Sequence, residues 1–185
     1  MWPESKWDRN MRNGNHKLLK GVVAGAAGGL VASWVMNQFQ TGWGKAAEKY
    51  SKTPQGEQER QRGDADADDA TMKTAQKISE TVFHRQLSRQ EKKKLGPVVH
   101  YAFGVGTGAL YGAIAEIVPR ATFGAGLPYG TAVFLGADEV AVPALGLSKW
   151  AKEYPASAHL YGLASHLVYG LSLEMVRRGV RRMMD

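Results

Sequence analysis

The sequence predicts an all-α membrane protein: a bundle of about four transmembrane helices with glycine-zipper packing and one amphipathic interfacial helix. First, four apolar stretches of about 19 to 23 residues approach the ~20 that span a bilayer. Second, glycine recurs within these stretches, mostly every fourth residue. This spacing lets membrane helices approach closely, whereas each interior glycine costs a soluble helix ~1 kcal/mol relative to alanine. The glycines expected to mediate helix packing are Gly21, Gly25, Gly29, Gly104, Gly108, Gly112, Gly126, Gly130, Gly162 and Gly170.

Composition agrees with a single membrane domain. The chain has 185 residues, 24 Lys and Arg against 17 Asp and Glu, and a net charge of +7. Its mean hydropathy of −0.32 averages the apolar stretches with a polar segment at 42–95, which holds 12 basic and 9 acidic residues. The positive charges flank the apolar stretches, so a lipid bilayer is the expected partner and nucleic acid is not. Cysteine is absent, which excludes a disulfide framework and a thiolate metal site.

The first span is predicted at about 18–40. It resembles a signal peptide, but its polar lead is long and its apolar run extends past Trp34, so an uncleaved anchor is expected. Residues 44–70 are predicted to form a polar, flexible loop.

An amphipathic helix is predicted at 71–95. Its apolar residues fall at helical spacing and include Met72, Ile78 and Leu87. The helix lies on the membrane surface or packs on the rest of the protein. Ser88 followed by Glu91 forms a capping-box pair, which predicts that a new helix starts there.

The remaining spans are predicted at about 97–118, 125–147 and 156–176. Pro119 follows the second span, Pro155 precedes the fourth, and arginines follow the fourth. The short connections favour antiparallel neighbours in a bundle.

Spans two and four share a pattern at an offset of 58 residues. A glycine, a Tyr-Gly pair and a glutamate recur in the same order. A parallel duplication explains this, and so does independent selection of small residues and tyrosine for packing at one depth. The matching residues are Gly104 and Gly162, Tyr111 and Tyr169, Gly112 and Gly170, and Glu116 and Glu174.

Ionisable residues inside the predicted spans are the candidate functional residues, because each costs ~3 kcal/mol or more at bilayer depth unless paired. Asp138, Glu139 and His166 lie at the middle of spans three and four and form the predicted intramembrane polar centre. Pro143 follows one turn later and is expected to interrupt the helix. The flanking polar layer consists of His100, His159, Tyr111, Tyr169, Glu116 and Glu174. The two glutamates are expected to be neutralised by Arg120, Arg177 and Arg178.

Three interpretations of these residues remain open. They form an interhelical clamp of hydrogen bonds, or a proton-responsive centre, since histidine titrates near pH 6.5 and a neighbouring carboxylate raises that value. Alternatively, a histidine among His100, His159 and His166 ligates a haem or pigment. The spacing matches no standard metal motif, and no cofactor is expected. No nucleophile motif or phosphate-binding loop is present, so an enzyme is not expected.

Several strings together resemble the YagU-like family of bacterial inner-membrane proteins, a family of unknown molecular function. They include the glycine run leading into Trp34, the string 100–104, the Asp138-Glu139 pair, and the histidines of the last span. The resemblance covers most of the chain and is least distinctive at 44–70. It implies a multi-pass protein of the inner (plasma) membrane that is associated with acid tolerance, and it supplies no catalytic or ligand residues.

The function expected from the sequence is therefore an accessory or scaffold subunit that packs through its glycine faces within a larger membrane complex or a homo-oligomer. The alternatives are a pH-responsive channel or transporter element and a cofactor-associated membrane subunit. The expected partners are the bilayer and other membrane subunits or copies of the chain.

Overall fold

The computed structural model describes residues 6–50 and 69–184, with side-chain surroundings for 14–47 and 69–184. This described part is all-helical and contains no strand. Helix α1 (Lys6–Tyr50) continues through residues 44–50, which the sequence assigns to the polar loop. The rest of that loop, up to residue 68, lies outside the described residues.

The amphipathic segment divides into two helices. Helix α2 (Ala70–Phe83) begins at Asp69, whose carboxylate accepts a hydrogen bond from the Met72 amide at 2.8 Å, and it ends at His84 in a left-handed conformation. Helix α3 (Arg89–Ile117) begins at Ser88 with the predicted capping box, since Ser88 and Glu91 bond each other's backbone amides. The amphipathic helix therefore ends before Leu87, and residues 89–95 belong to α3.

The third predicted span is not one regular helix. A 3₁₀ segment (Pro119–Gly126) ends in three positive-φ residues, Gly124, Ala125 and Gly126, and leads into α4 (Leu127–Val133). A π-helical segment (Phe134–Ala141) follows and passes into the single turn α5 (Val142–Ala144). A short 3₁₀ turn (Ala151–Glu153) then connects to α6 (Ala156–Met183).

Helices α1 and α3 are antiparallel and touch along their glycines. A Cβ built on Gly29 would lie 2.1 Å from the Gly104 carbonyl oxygen, and one on Gly112 would lie 2.0 Å from that of Gly21. Because atoms cannot approach this closely, any larger residue would push the two backbones apart. The glycine faces of α1 and α3 are therefore closed against each other within one chain.

Glycines also join α6 to its neighbours. A Cβ on Gly126 would meet the Gly170 carbonyl at 2.1 Å, and one on Gly130 would meet that of His166 at 2.1 Å. Gly162 leaves room for the Phe134 ring. The core lies where α1, α3 and α6 meet, and is formed by Ala32, Met36, Tyr111, Tyr169 and Leu173.

Candidate functional site

Helix α6 carries two histidines on one face, seven residues or about two turns apart. The first, His159, has an oxygen acceptor at each ring nitrogen. Its Nδ1 lies 2.8 Å from Oε1 of Glu139, and its Nε2 lies 3.0 Å from the Ala151 carbonyl oxygen. A neutral imidazole has one N–H donor, so both contacts are satisfied only when the His159–Glu139 pair holds one additional proton.

The second histidine, His166, faces Asp138. Its Nδ1 lies 2.9 Å from the Gly162 carbonyl, which accepts a hydrogen bond only if Nδ1 carries the proton. Its Nε2 then points toward Oδ2 of Asp138 at 3.7 Å, beyond hydrogen-bond distance. The two side chains are therefore close but not hydrogen-bonded, and the Asp138 side chain is 47% exposed.

The π-helical segment determines where the two carboxylates point. Pro143 has no N–H, and its ring would clash with the carbonyl of the residue four positions earlier in a regular α-helix. The backbone instead widens, and the Val142 amide donates to the Ala137 carbonyl five residues back. Adjacent residues Asp138 and Glu139 thereby reach two different histidines. Such π-helical insertions occur frequently at functional sites.

His100 on α3 borders the same region. Its Nε2 is buried and has no hydrogen-bond partner among the described residues. The ring lies within electrostatic range of His166 and Asp138, and it packs edge-on against Tyr101 at 5.7 Å. A buried ring nitrogen without a partner costs free energy, which marks His100 as a functional candidate.

A layer of hydroxyl groups lies deeper in the bundle. Tyr169 donates to the Gly104 carbonyl at 2.7 Å and lies 2.9 Å from the Thr107 hydroxyl. Tyr129 donates to the Thr107 carbonyl at 2.6 Å, and its ring packs on that of Tyr111 at 4.6 Å. These contacts connect α3 to both the irregular third segment and α6.

A charged cluster is situated at the opposite end of the bundle from the histidines. Glu174 is 1% exposed and accepts two hydrogen bonds from Arg177, at 2.6 and 2.9 Å, and one from Arg178. Glu116 accepts from Arg181 at 2.6 Å. The Arg177 guanidinium also lies 5.8 Å from the centre of the Tyr111 ring. Both glutamates are therefore neutralised inside the bundle.

The structure thus separates the predicted site residues into two groups. Asp138, Glu139, His159 and His166 lie together, whereas Glu116 and Glu174 lie with the arginines. Arg120 makes no ion pair within the described part of the chain.

The sequence analysis does not identify Tyr129, Thr107 or Arg181 as site residues. For Tyr129 and Arg181 the sequence does contain one indication of such a role, namely a polar or charged side chain in or beside an apolar stretch.

The two histidines of α6 offer little to a metal or cofactor. Both ring nitrogens of His159 are engaged by oxygen atoms, and those of His166 face an oxygen each. No group of three or more His, Cys, Asp or Glu side chains within the described ranges has a geometry that holds a metal ion.

Fold and site together define an all-helical protein in which two described helices, Gly14–Ala47 and Arg89–Ile117, are long and apolar enough to cross a membrane. A family model described as a protein of unknown function (DUF1440) matches residues 69–175. This match covers more than half of the chain, so the chain belongs to that family. The matched region contains both carboxylate–histidine pairs. No curated protein and no solved structure is significantly similar to the chain.

Proposed function

We propose that the chain is a non-enzymatic, multi-pass membrane protein with four spans. In the apolar windows of α1 and α3, 39% and 28% of the residues are buried, whereas the core helix of a soluble protein is mostly buried. Large apolar side chains such as Leu30, Phe103 and Leu110 are at least half exposed, and hydrocarbon would cover them. The third segment and α6 pack against each other beside these helices, with His166 and Glu174 of α6 buried.

The same proposal includes the bacterial inner membrane as the location, since the sequence resembles YagU-like proteins. The proposal also includes a role in acid tolerance, because the resemblance to YagU-like proteins implies an association with acid tolerance. Membership in a family of unknown function is compatible with both.

We infer that the protein is a pH-responsive channel or transporter element. The observation that carries this is the geometry of His159, which has an acceptor oxygen at both ring nitrogens. With its additional proton the pair satisfies both acceptors. Once that proton leaves, the ring has a single N–H, so a nitrogen lone pair faces either the Glu139 carboxylate or the Ala151 carbonyl, and one of the two contacts that α6 makes through His159 is lost.

The irregular third segment is suited to move in response. It enters through the left-handed residues Gly124 and Ala125 and departs from α-helical winding before Pro143. Charged and titratable groups face it from three helices, and they are His159, His166 and Arg178 from α6, His100 from α3 and Lys77 from α2. A gain or loss of protons by these side chains changes the relative populations of two states. In one state the third segment is bound to α6, and in the other it is released from α6.

Reconstitution into proteoliposomes tests this function. We expect proton or potassium flux, followed with an internal dye, to change when the external pH is lowered from 7.5 to 5. The double variant Asp138→Asn, Glu139→Gln removes both carboxylates and should abolish the pH dependence. Glu80→Gln alters an exposed carboxylate on α2 and serves as the matched control. Flux without pH dependence, or equal pH dependence in the double variant, would reject the proposal.

An accessory or scaffold role is the second candidate. The glycines expected to bind a partner are closed within the chain, so its interface has to lie elsewhere. Gly106 favours this role, because it lies on the outer face of α3 between Phe103 and Leu110 with nothing within 4 Å of its Cβ position. Gly106→Leu should then dissociate a complex or homo-oligomer purified in mild detergent, and an unchanged assembly would count against this role.

A further inference from the structure

A wide apolar groove separates α2 from the first half of α3. Its volume is about 760 Å³, within the ~300–1,000 Å³ typical of small-molecule sites. Both helices contribute apolar side chains, and the main ones are Ile78, Phe83, Leu95, Val98, Ala102 and Phe103.

The groove is open, and its walls are not covered by other parts of the described chain. Phe83 is 73% exposed and Val98 is 58% exposed. The exposed Ala102 contributes only a small side chain to the lining of the groove. The shape is therefore that of a slot between two helices, wide enough for a flexible apolar chain.

The two ends of the groove differ in polarity. Phe103 lies two turns inside the apolar segment of α3, at the deeper end. Arg85 lines the other end and pairs with Glu91 in the first turn of α3, and the exposed Lys94 lies one turn before Val98 on the same helix face. Residues 84–95, which connect α2 to α3 and form the first turns of α3, carry five Lys or Arg against one acidic residue.

We propose that this groove binds an anionic phospholipid, with one acyl chain between α2 and α3 and the phosphate near Arg85 and Lys94. The proposal rests on the membrane location argued above and not on the pH response. The apolar walls match an acyl chain, and the excess of positive charge at the shallow end matches an anionic headgroup. The orientation of the groove also matches that of a membrane lipid, because its charged end lies next to the start of α3 and its apolar end extends into the proposed membrane span of α3.

Native mass spectrometry of the full chain in mild detergent tests this site. Dioleoyl phosphatidylglycerol and dioleoyl phosphatidylcholine are titrated separately, and the dissociation constant of the first bound lipid is compared. We expect tighter binding of phosphatidylglycerol. Lys94→Gln should lower this preference about fivefold, which is the factor for one cation near an anionic membrane surface.

The variant Ala102→Trp fills the groove and should abolish tight binding of the first lipid. Leu110→Trp, two turns further along α3 and outside the groove, is the matched control and should bind as the wild type does. Circular dichroism melting of both variants checks that the helices remain folded. Equal affinity for the two lipids, or unchanged binding in Ala102→Trp, would overturn the proposal. A dimer that only Ala102→Trp dissociates would instead identify a second copy as the occupant and overturn it as well.

Discussion

Gly25 and Gly108 face each other so closely that a Cβ built on Gly25 would lie 2.2 Å from the Gly108 carbonyl oxygen. This contact lies midway along a line of three such approaches between α1 and α3. The same helices carry the apolar surface proposed to face lipid. Close backbone contact therefore joins these two helices, and in the proposed bilayer location such packing would take the place of the hydrophobic force between soluble helices.

Gly25→Ala should therefore destabilise the folded protein by about 1–3 kcal/mol, the usual cost of overpacking. The added methyl group meets backbone atoms on α3, which cannot move aside as a flexible side chain would. Thermal unfolding in detergent measures the loss. Gly106→Ala has open space at its Cβ position and should leave the melting temperature nearly unchanged, so equal effects of the two substitutions would contradict the packing.

Arg177→Met should destabilise the protein by about 3–5 kcal/mol, because it leaves Glu174 buried with a single, half-exposed arginine. The double variant Glu174→Leu, Arg177→Met removes both charges and should recover much of this loss. Chemical unfolding of the single and double variants measures the coupling. Additive losses in the double variant would mean that the ion pair does not act as a unit.

Pro143→Ala should restore an α-helical hydrogen bond and remove the reason for the π-helical widening. Asp138 and Glu139 would then rotate relative to α6 and lose their separate histidines. We expect unchanged helix content by circular dichroism together with a lost pH dependence of flux. Pro128→Ala, at the start of α4 where a missing N–H is tolerated, is the control and should keep the pH dependence. A wild-type pH response in Pro143→Ala would show that the π-helical winding is dispensable.

The sequence predicts the all-helical class, which the described residues confirm, better than it predicts which side chains come together. Period-four glycines and the capping box at Ser88 are local signals, and both correspond to real contacts. The pairing of Glu139 with His159 depends on a change in helical winding, for which Pro143 indicates an interruption but not its form. The pairing of Glu116 with Arg181 joins residues 65 positions apart, which no local pattern encodes.

The closing of the glycine faces could not be predicted either. A glycine stripe has the same sequence whether its partner is another helix of the chain or a different subunit. Only the antiparallel placement of α1 and α3 decides between these, and it removes the reason for assigning Gly25 and Gly108 to a partner interface.

The most direct test of the account is to count the proton held between His159 and Glu139. Histidine ring nitrogens labelled with ¹⁵N, in protein reconstituted into bilayers at pH 7, report by solid-state NMR which nitrogens carry hydrogen. His159→Gln assigns the signal, and the infrared carboxylic-acid band detects a proton that resides on Glu139. The account predicts a doubly protonated His159 ring, or a neutral ring with a protonated Glu139, either of which disappears as the pH is raised. A neutral His159 beside an ionised Glu139 throughout the range from pH 5 to 8 would contradict it.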